Sequence, residues 1–144
     1  MKQFPGALLY SKLQQQTSVD HGFVLIIDNI GMLSRLYKYS YCCYVGGGLS
    51  NTGVHNVLEA AVYNKPVIFG KNFYKYREVN DLIEAKGAYA ISNKDDFIVI
   101  LNQFIANTSF YLETGNNAGG YVKTNAGATE KILHYIQEKR LLTN

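Results

Sequence analysis

Apolar residues occur along this chain in short blocks separated by polar turns, and the period of each block predicts an element. Residues 23–27 (FVLII) form a continuous apolar run, as expected of a strand covered on both faces. Residues 41–45 (YCCYV), 66–69 (PVIF) and 88–91 (AYAI) are further short runs bounded by turn residues, and predict three more strands. Between them the spacing becomes helical. Leu33, Leu36, Tyr37 and Ser40 share one helix face, and residues 77–85 read as a helix ended by Gly87. Residues 93–106 read as another, opened by Ser92 or Asn93 as cap ahead of Asp95 and Asp96. Residues 4–16 look helical around Leu8, Leu9 and Leu13, followed by a polar loop at Asp20, His21 and Gly22. From Ser109 to Leu142 the pattern predicts two helical segments, weakly joined at residues 116–120, with Ile132, Leu133 and Ile136 as the final apolar stripe.

Strands alternating with helices imply βαβ units, so the expected fold class is α/β. The expected architecture is a Rossmann-like parallel sheet of about four strands flanked by helices, with a helical carboxyl-terminal tail. The 144 residues are sufficient for one domain. In open parallel sheets ligands sit beyond the carboxyl ends of the strands. Two such ends carry unusual residues: residues 28–32, where a turn opens a helix, and residues 46–48.

The second of these is the more informative. The run from Tyr41 to Val45 breaks into Gly46, Gly47 and Gly48, and Ser50, Asn51 and Thr52 then lead into a segment with helical period. Strand, glycine turn and helix in that order offer unpaired N–H groups and the positive end of a helix dipole to an anion such as phosphate. Glycines also let a ligand approach the main chain. The pattern is not a nucleotide-triphosphate loop, because Val54 and His55 stand where Lys and Ser or Thr belong, and Asn51 breaks the dinucleotide fingerprint. A glycine turn that only allows strand and helix to pack stays open as an alternative. At 100° per residue Val54, Val57, Leu58, Ala61 and Val62 gather on one side, with His55, Asn56, Glu59 and Tyr63 opposite. Glu59 is therefore placed to accept hydrogen bonds from a ribose diol, or to be a solvated helix residue. Ser50, His55 and Asp28 form no recognisable catalytic triad, and G-x-S-x-G is absent.

Composition narrows the partners. A net charge of +3 allows attraction to phosphate without calling for nucleic acid, and no basic run is dense enough to argue for it. No apolar run approaches the roughly 20 residues of a membrane span, and the first residues do not read as a secretory leader. The two cysteines, Cys42 and Cys43, are adjacent in a predicted strand and point to opposite faces, which argues against a mutual disulfide and fits a reducing, cytoplasmic setting. Neither a second cysteine pair nor clustered histidines suggest a metal, and no cofactor is expected.

Several separated motifs then carry a resemblance: DNIGMLSRLY, YVGGGLSNTGVHNVLEAA, KPVIFGKNFYKYREVNDLIEAKGA and a late NAGATEKIL. Over about residues 24 to 140 they resemble the carboxyl-terminal half of 3-deoxy-D-manno-octulosonic acid (Kdo) transferases. These are GT-B glycosyltransferases that attach Kdo to the lipid A precursor in the lipopolysaccharide synthesis of Gram-negative bacteria. The resemblance implies that this domain binds the sugar nucleotide CMP-Kdo. Ile30, Gly31 and Met32 would border the cytidine; Asn56, Val57, Leu58 and Glu59 would form the second contact, with Glu59 on the ribose; Gly47 and Gly48 would line the pocket floor. Family members usually have Gly-Glu-Leu where Gly31, Met32 and Leu33 stand, a glycine pair where Gly53 and Val54 stand, and a serine at Gly48.

The resemblance further implies that the base acting on the acceptor hydroxyl, and a Pro-Arg segment on the nucleotide, belong to an amino-terminal domain. By that reading the chain is truncated at its amino-terminal end, inactive alone, and part of a protein at the cytoplasmic face of the inner membrane that meets the lipid A precursor through that other domain. Loss of upstream strands would leave the edges of residues 23–27 and 41–45 open, to pair with each other or in a homo-dimer. Residues Lys71, Phe73, Tyr74, Lys75, Tyr76 and Arg77 read as a lip that meets the acidic Kdo carboxylate or the other domain, or as a solvated loop. A UDP-sugar enzyme of the same fold and a non-catalytic phospholigand module are the rival functions.

Overall fold

The computed structural model describes residues 4, 6–15 and 24–141, and the chain divides into two compact units, Met1–Tyr37 and Lys38–Asn144. The loop at Asp20, His21 and Gly22, and Leu142, lie outside the described residues.

The larger unit is built on three parallel strands in the order β3–β4–β5: β3 (Cys43–Val45), β4 (Val67–Gly70) and β5 (Ala88–Ile91). Cys43 pairs with Val67, and Val67 with Ala88. All four residues of β4 are buried, which is why the middle strand carries no polar side chain. Parallel neighbours need crossovers, and each one here contains a helix: α2 (Leu58–Ala61) between β3 and β4, and α3 (Arg77–Glu84) between β4 and β5. The helices α4 (Lys94–Ala106), α5 (Thr108–Asn125) and α6 (Ala128–Glu138) follow without a further strand among the described residues.

The caps are local and match the sequence. Asn93 Oδ1 accepts from the N–H groups of Asp95 (2.8 Å) and Asp96 (3.0 Å), while Asp96 Oδ2 accepts from Ser92 N–H (2.8 Å). Asn107 caps α5 by accepting from Phe110 N–H. Ile68, Ile91 and Phe104 form a buried cluster, with Tyr89, Phe110 and Tyr111 packed around it. Burial of one such side chain contributes roughly 1.5–3 kcal/mol. Tyr41 and Tyr111 stack at 4.3 Å; Tyr41 donates its hydroxyl to Phe104 O, and Tyr111 donates to Tyr41 O. Tyr41 and Tyr111 thus fasten α4 and α5 to the residues just before β3.

One expectation is overturned in the tail. The weak point expected at residues 116–120 is the middle of the continuous helix α5; the break falls instead at Ala126 and Gly127, where Gly127 has φ +94°. The small residues serve packing. A Cβ on Gly115 would strike the carbonyl of Asn64, and one on Gly87 would lie 2.7 Å from the main chain of Ala118. Close approach of α5 to the ends of α2 and α3 outweighs the poor helix propensity of Gly115 and Gly119.

In the smaller unit, β1 (Leu8–Leu9) pairs in parallel with β2 (Leu25–Ile26). The helix expected over residues 4–16 is therefore a short strand followed by a 3-10 helix, Tyr10–Gln15. The pairing wins because β2 offers main-chain partners: Leu8 N–H donates to Val24 O. It also gives residues 24–26 a neighbour where an open edge was expected. Asp28, at the end of β2, accepts from Ser11 N–H (3.0 Å) and Ser11 Oγ (2.6 Å), and these bonds hold its carboxyl below the usual carboxylate range. The helix expected from Leu33 is α1 (Leu33–Leu36), continued by a 3-10 turn, Tyr37–Tyr39.

Two outcomes follow. Gly115→Ala should destabilise the chain by about 1–3 kcal/mol in urea unfolding. Gly120→Ala, with nothing within 4 Å of its added Cβ, should stabilise it by about 0.5–1 kcal/mol. An equal response would refute the packing account. Burial raises the Cys42 and Cys43 thiols above the ordinary value of 9.0. The stabilisation this gives is complete below that value and is lost as pH rises through the raised folded values. Native alkylation near pH 8 should accordingly be slow and become fast in denaturant.

Candidate functional site: the glycine loop and its flanking cleft

β3 ends at Val45 and the chain turns at once into Gly46, Gly47 and Gly48. The loop is closed by its own polar groups. Gly47 O accepts from Ser50 N–H (3.1 Å), Ser50 Oγ (2.8 Å) and Thr52 Oγ1 (3.4 Å). Gly48 O accepts from Asn72 N–H (2.9 Å), and Asn72 Nδ2 donates to Ser50 O (2.9 Å). His55 N–H returns to Gly46 O at 3.0 Å.

The glycines are required mainly by this closure. Gly47 has φ +95°, and a Cβ there would run into Gly53 O; a Cβ on Gly48 would run into Gly70 at the end of β4. In the direction a Cβ would take, the space at each is filled by protein main chain. What the loop does offer is donors: among the described residues the N–H groups of Gly47 and Gly48 have no main-chain acceptor. Gly48 is buried and Gly47 half-buried.

The helix differs from expectation more sharply. It begins only at Leu58 and has four residues, so His55 and Glu59 do not share its face, and a single turn has little dipole to offer an anion. Val54, Val57, Ala60 and Ala61 are buried, whereas Val62 is exposed. Val57 is fully covered, main chain included, and its carbonyl accepts from the N–H groups of Ala60 and Ala61. Leu58 is half-buried. Asn56 and Glu59 are both exposed. Asn56 Oδ1 accepts from Leu58 N–H (3.1 Å) and its Nδ2 donates to Glu59 Oε1 (3.0 Å). That bond fixes the carboxylate by one oxygen; among the described residues Oε2 accepts nothing and faces solvent.

Beyond the loop lies a cleft of about 410 Å³, with Asn51, Thr52 and Gly53 on one side and Asn72, Tyr74, Lys75 and Tyr76 on the other. Of the lip expected from the sequence, Tyr74, Lys75 and Tyr76 line this cleft. Phe73 does not: it is buried against Phe69, 5.4 Å between ring centroids. Asn72 and the 51–53 wall escaped the sequence reading. The one signal for them was an amide, Asn72, two residues after a strand end.

In the smaller unit, Ile30 is wholly solvent-exposed at 103%, Gly31 has φ +86° with open space around its Cα, and Met32 is half-buried. Among the described residues no three His, Cys, Asp or Glu side chains gather as a metal site, and no helix is long and apolar enough to cross a membrane.

No protein-family model matches the chain. It is 34% identical over 92% of its length to a bifunctional glycosyltransferase/methyltransferase of Fusobacterium nucleatum, and 30% identical over 59% of its length to a 3-deoxy-D-manno-octulosonic acid transferase of Aquifex aeolicus. The chain spans 18% and 24% of the length of these two relatives. Among solved structures it is similar to the carboxyl-terminal CMP-Kdo binding domain of WaaA from Acinetobacter baumannii, with a TM-score of 0.69 and 24% identity over 81% of this chain and 60% of that one. The chain therefore resembles Kdo transferases in sequence and has the fold of the carboxyl-terminal domain of that enzyme, the α/β arrangement expected from its pattern.

The loop geometry makes one prediction of its own. Gly47→Ala should destabilise the chain by about 1–3 kcal/mol, from left-handed strain and the collision with residue 53. Gly46→Ala, whose Cβ meets only His55 Cδ2 at 3.7 Å, should be close to neutral. Thermal unfolding of both variants is the check.

Proposed function

We propose that this chain is the donor-binding part of a Kdo transferase and that it holds CMP-Kdo at the glycine loop. The observation that carries the reading is the exposed Asn56–Glu59 pair, set where the chain returns from that loop through His55 N–H to Gly46 O. A carboxylate fixed by one oxygen and open at the other suits a ribose diol, because each hydroxyl donates to a charged acceptor. The N–H groups of Gly47 and Gly48 are candidates for the phosphate, acting through main chain. Val57 and Leu58, between that pair in the chain, are the further contacts that the sequence likeness implies. For Ile30, Gly31 and Met32 the support is the sequence likeness together with the exposure of Ile30 and the openness at Gly31.

In this reading the chain binds and orients the donor, and the base that takes the acceptor proton comes from elsewhere in the enzyme. The acceptor is a lipid A precursor, and the reaction takes place at the cytoplasmic face of the inner membrane. A UDP-sugar enzyme would share the loop and Glu59, so the choice between nucleotides is the informative measurement. CMP should bind more tightly than UDP in calorimetric titration. Glu59→Ala should weaken CMP by about tenfold to a hundredfold, the effect of removing a charged acceptor worth about 1.5–3 kcal/mol, with the circular dichroism spectrum unchanged. Equal affinity for the two nucleotides, or an unaltered CMP affinity in Glu59→Ala, would overturn the reading.

A further inference from the structure

The cleft beside the glycine loop contains neither Glu59 nor Gly47 and Gly48, so the nucleotide contacts leave it unused. We infer that it is the subsite for the acidic sugar of the donor, with Lys75 meeting the sugar carboxylate. The inference rests on the donor-binding reading above.

Chemistry supports an acid. No carboxylate lines the cleft, while Lys75 does. Arg77, nearby in sequence, is engaged by Asp81 (Nε to Oδ2, 3.6 Å), which leaves Lys75 as the cation on this wall. The remaining lining suits a polyhydroxylated ring. Asn51 and Asn72 bring amides and Thr52 a hydroxyl, all able to bond sugar hydroxyls, and Tyr74 and Tyr76 bring flat faces with polar tips. The volume of about 410 Å³ lies within the range of about 300–1,000 Å³ usual for small-molecule sites.

The walls are also fixed. Asn72 ties one to the glycine loop through Gly48 O and Ser50 O. Tyr76 O accepts from Asn80 Nδ2 at 2.7 Å, which holds the start of α3. The Tyr76 ring lies directly over Gly53, whose φ is +82° and whose added Cβ would come within 2.8 Å of the Tyr76 hydroxyl. Phosphate donors and sugar subsite thus lie on one loop, as a donor whose phosphate joins nucleoside to sugar requires.

The test uses the 144-residue chain, free Kdo, its neutral methyl ester and CMP, with amide shifts followed by NMR. Free Kdo should shift the amides of residues 51–53 and 72–76 and bind more tightly than the ester. Lys75→Gln should reduce the affinity for Kdo about three- to tenfold, abolish the preference for acid over ester, and leave CMP affinity unchanged. Gly53→Ala should weaken Kdo by displacing Tyr76. Equal binding of acid and ester, shifts confined to other residues, or an indifferent Lys75→Gln would overturn the subsite. CMP binding without a Kdo response overturns the subsite and spares the nucleotide reading. A Kdo response without CMP binding does the reverse.

Discussion

The larger unit depends on main chain meeting main chain at the carboxyl ends of β3 and β4. Gly48 lies against Gly70, and Gly47 against Gly53, with no room for a Cβ at either contact. Parallel strands spaced by ladder hydrogen bonds leave little freedom at their ends, so a loop that folds back over the middle strand must shed its side chains. Asn72 then satisfies Gly48 O and Ser50 O, which packing would otherwise strip of water. The same closure that consumes the carbonyls leaves the N–H groups of Gly47 and Gly48 without main-chain partners. A donor-rich surface at the strand ends is thus a by-product of how the loop is packed.

A second close approach sets the back of the unit. Gly87, Gly115, Ala118 and Gly119 are all buried where α5 crosses the ends of α2 and α3, and Asn64, at φ +57°, turns its main chain into the gap at Gly115. Large residues there would hold α5 off the sheet, and Phe104, Phe110 and Tyr111 could not close over Ile68 and Ile91. Small residues in a helix are usually read as weakness, but here they allow the aromatic cluster to form.

This explains which parts were legible in the sequence. Strands at 41–45, 66–69 and 88–91 and the helices after residues 77 and 93 follow from apolar period and capping residues, which act over a few positions. Asn93 is the clearest case, since its cap partners are two and three residues away. The readings that failed depend on partners far along the chain. Leu8 and Leu9 become a strand because of residues 24–26, and the glycines of α5 are explained only by Asn64 and the turn after α3. The helix expected from Val54 starts at Leu58 because residues 53–56 are drawn out by the bond from His55 to Gly46 and by the packing of Gly53 under Tyr76. Spacing alone cannot show either constraint.

The late start of α2 changes how the site recognises charge. A longer helix would have placed its dipole on the loop, where an anion could meet it. With one turn of helix, an anion is met by individual donors, and selectivity has to come from side chains placed one at a time. Asn56 does this for Glu59, and Gly53 does it for Tyr76 by yielding the space its ring occupies. Both arrangements hang on the same irregular stretch of residues 53–56. The stretch that looks least ordered in the pattern of the sequence is therefore the one that joins the Asn56–Glu59 pair to the wall of the cleft at Gly53.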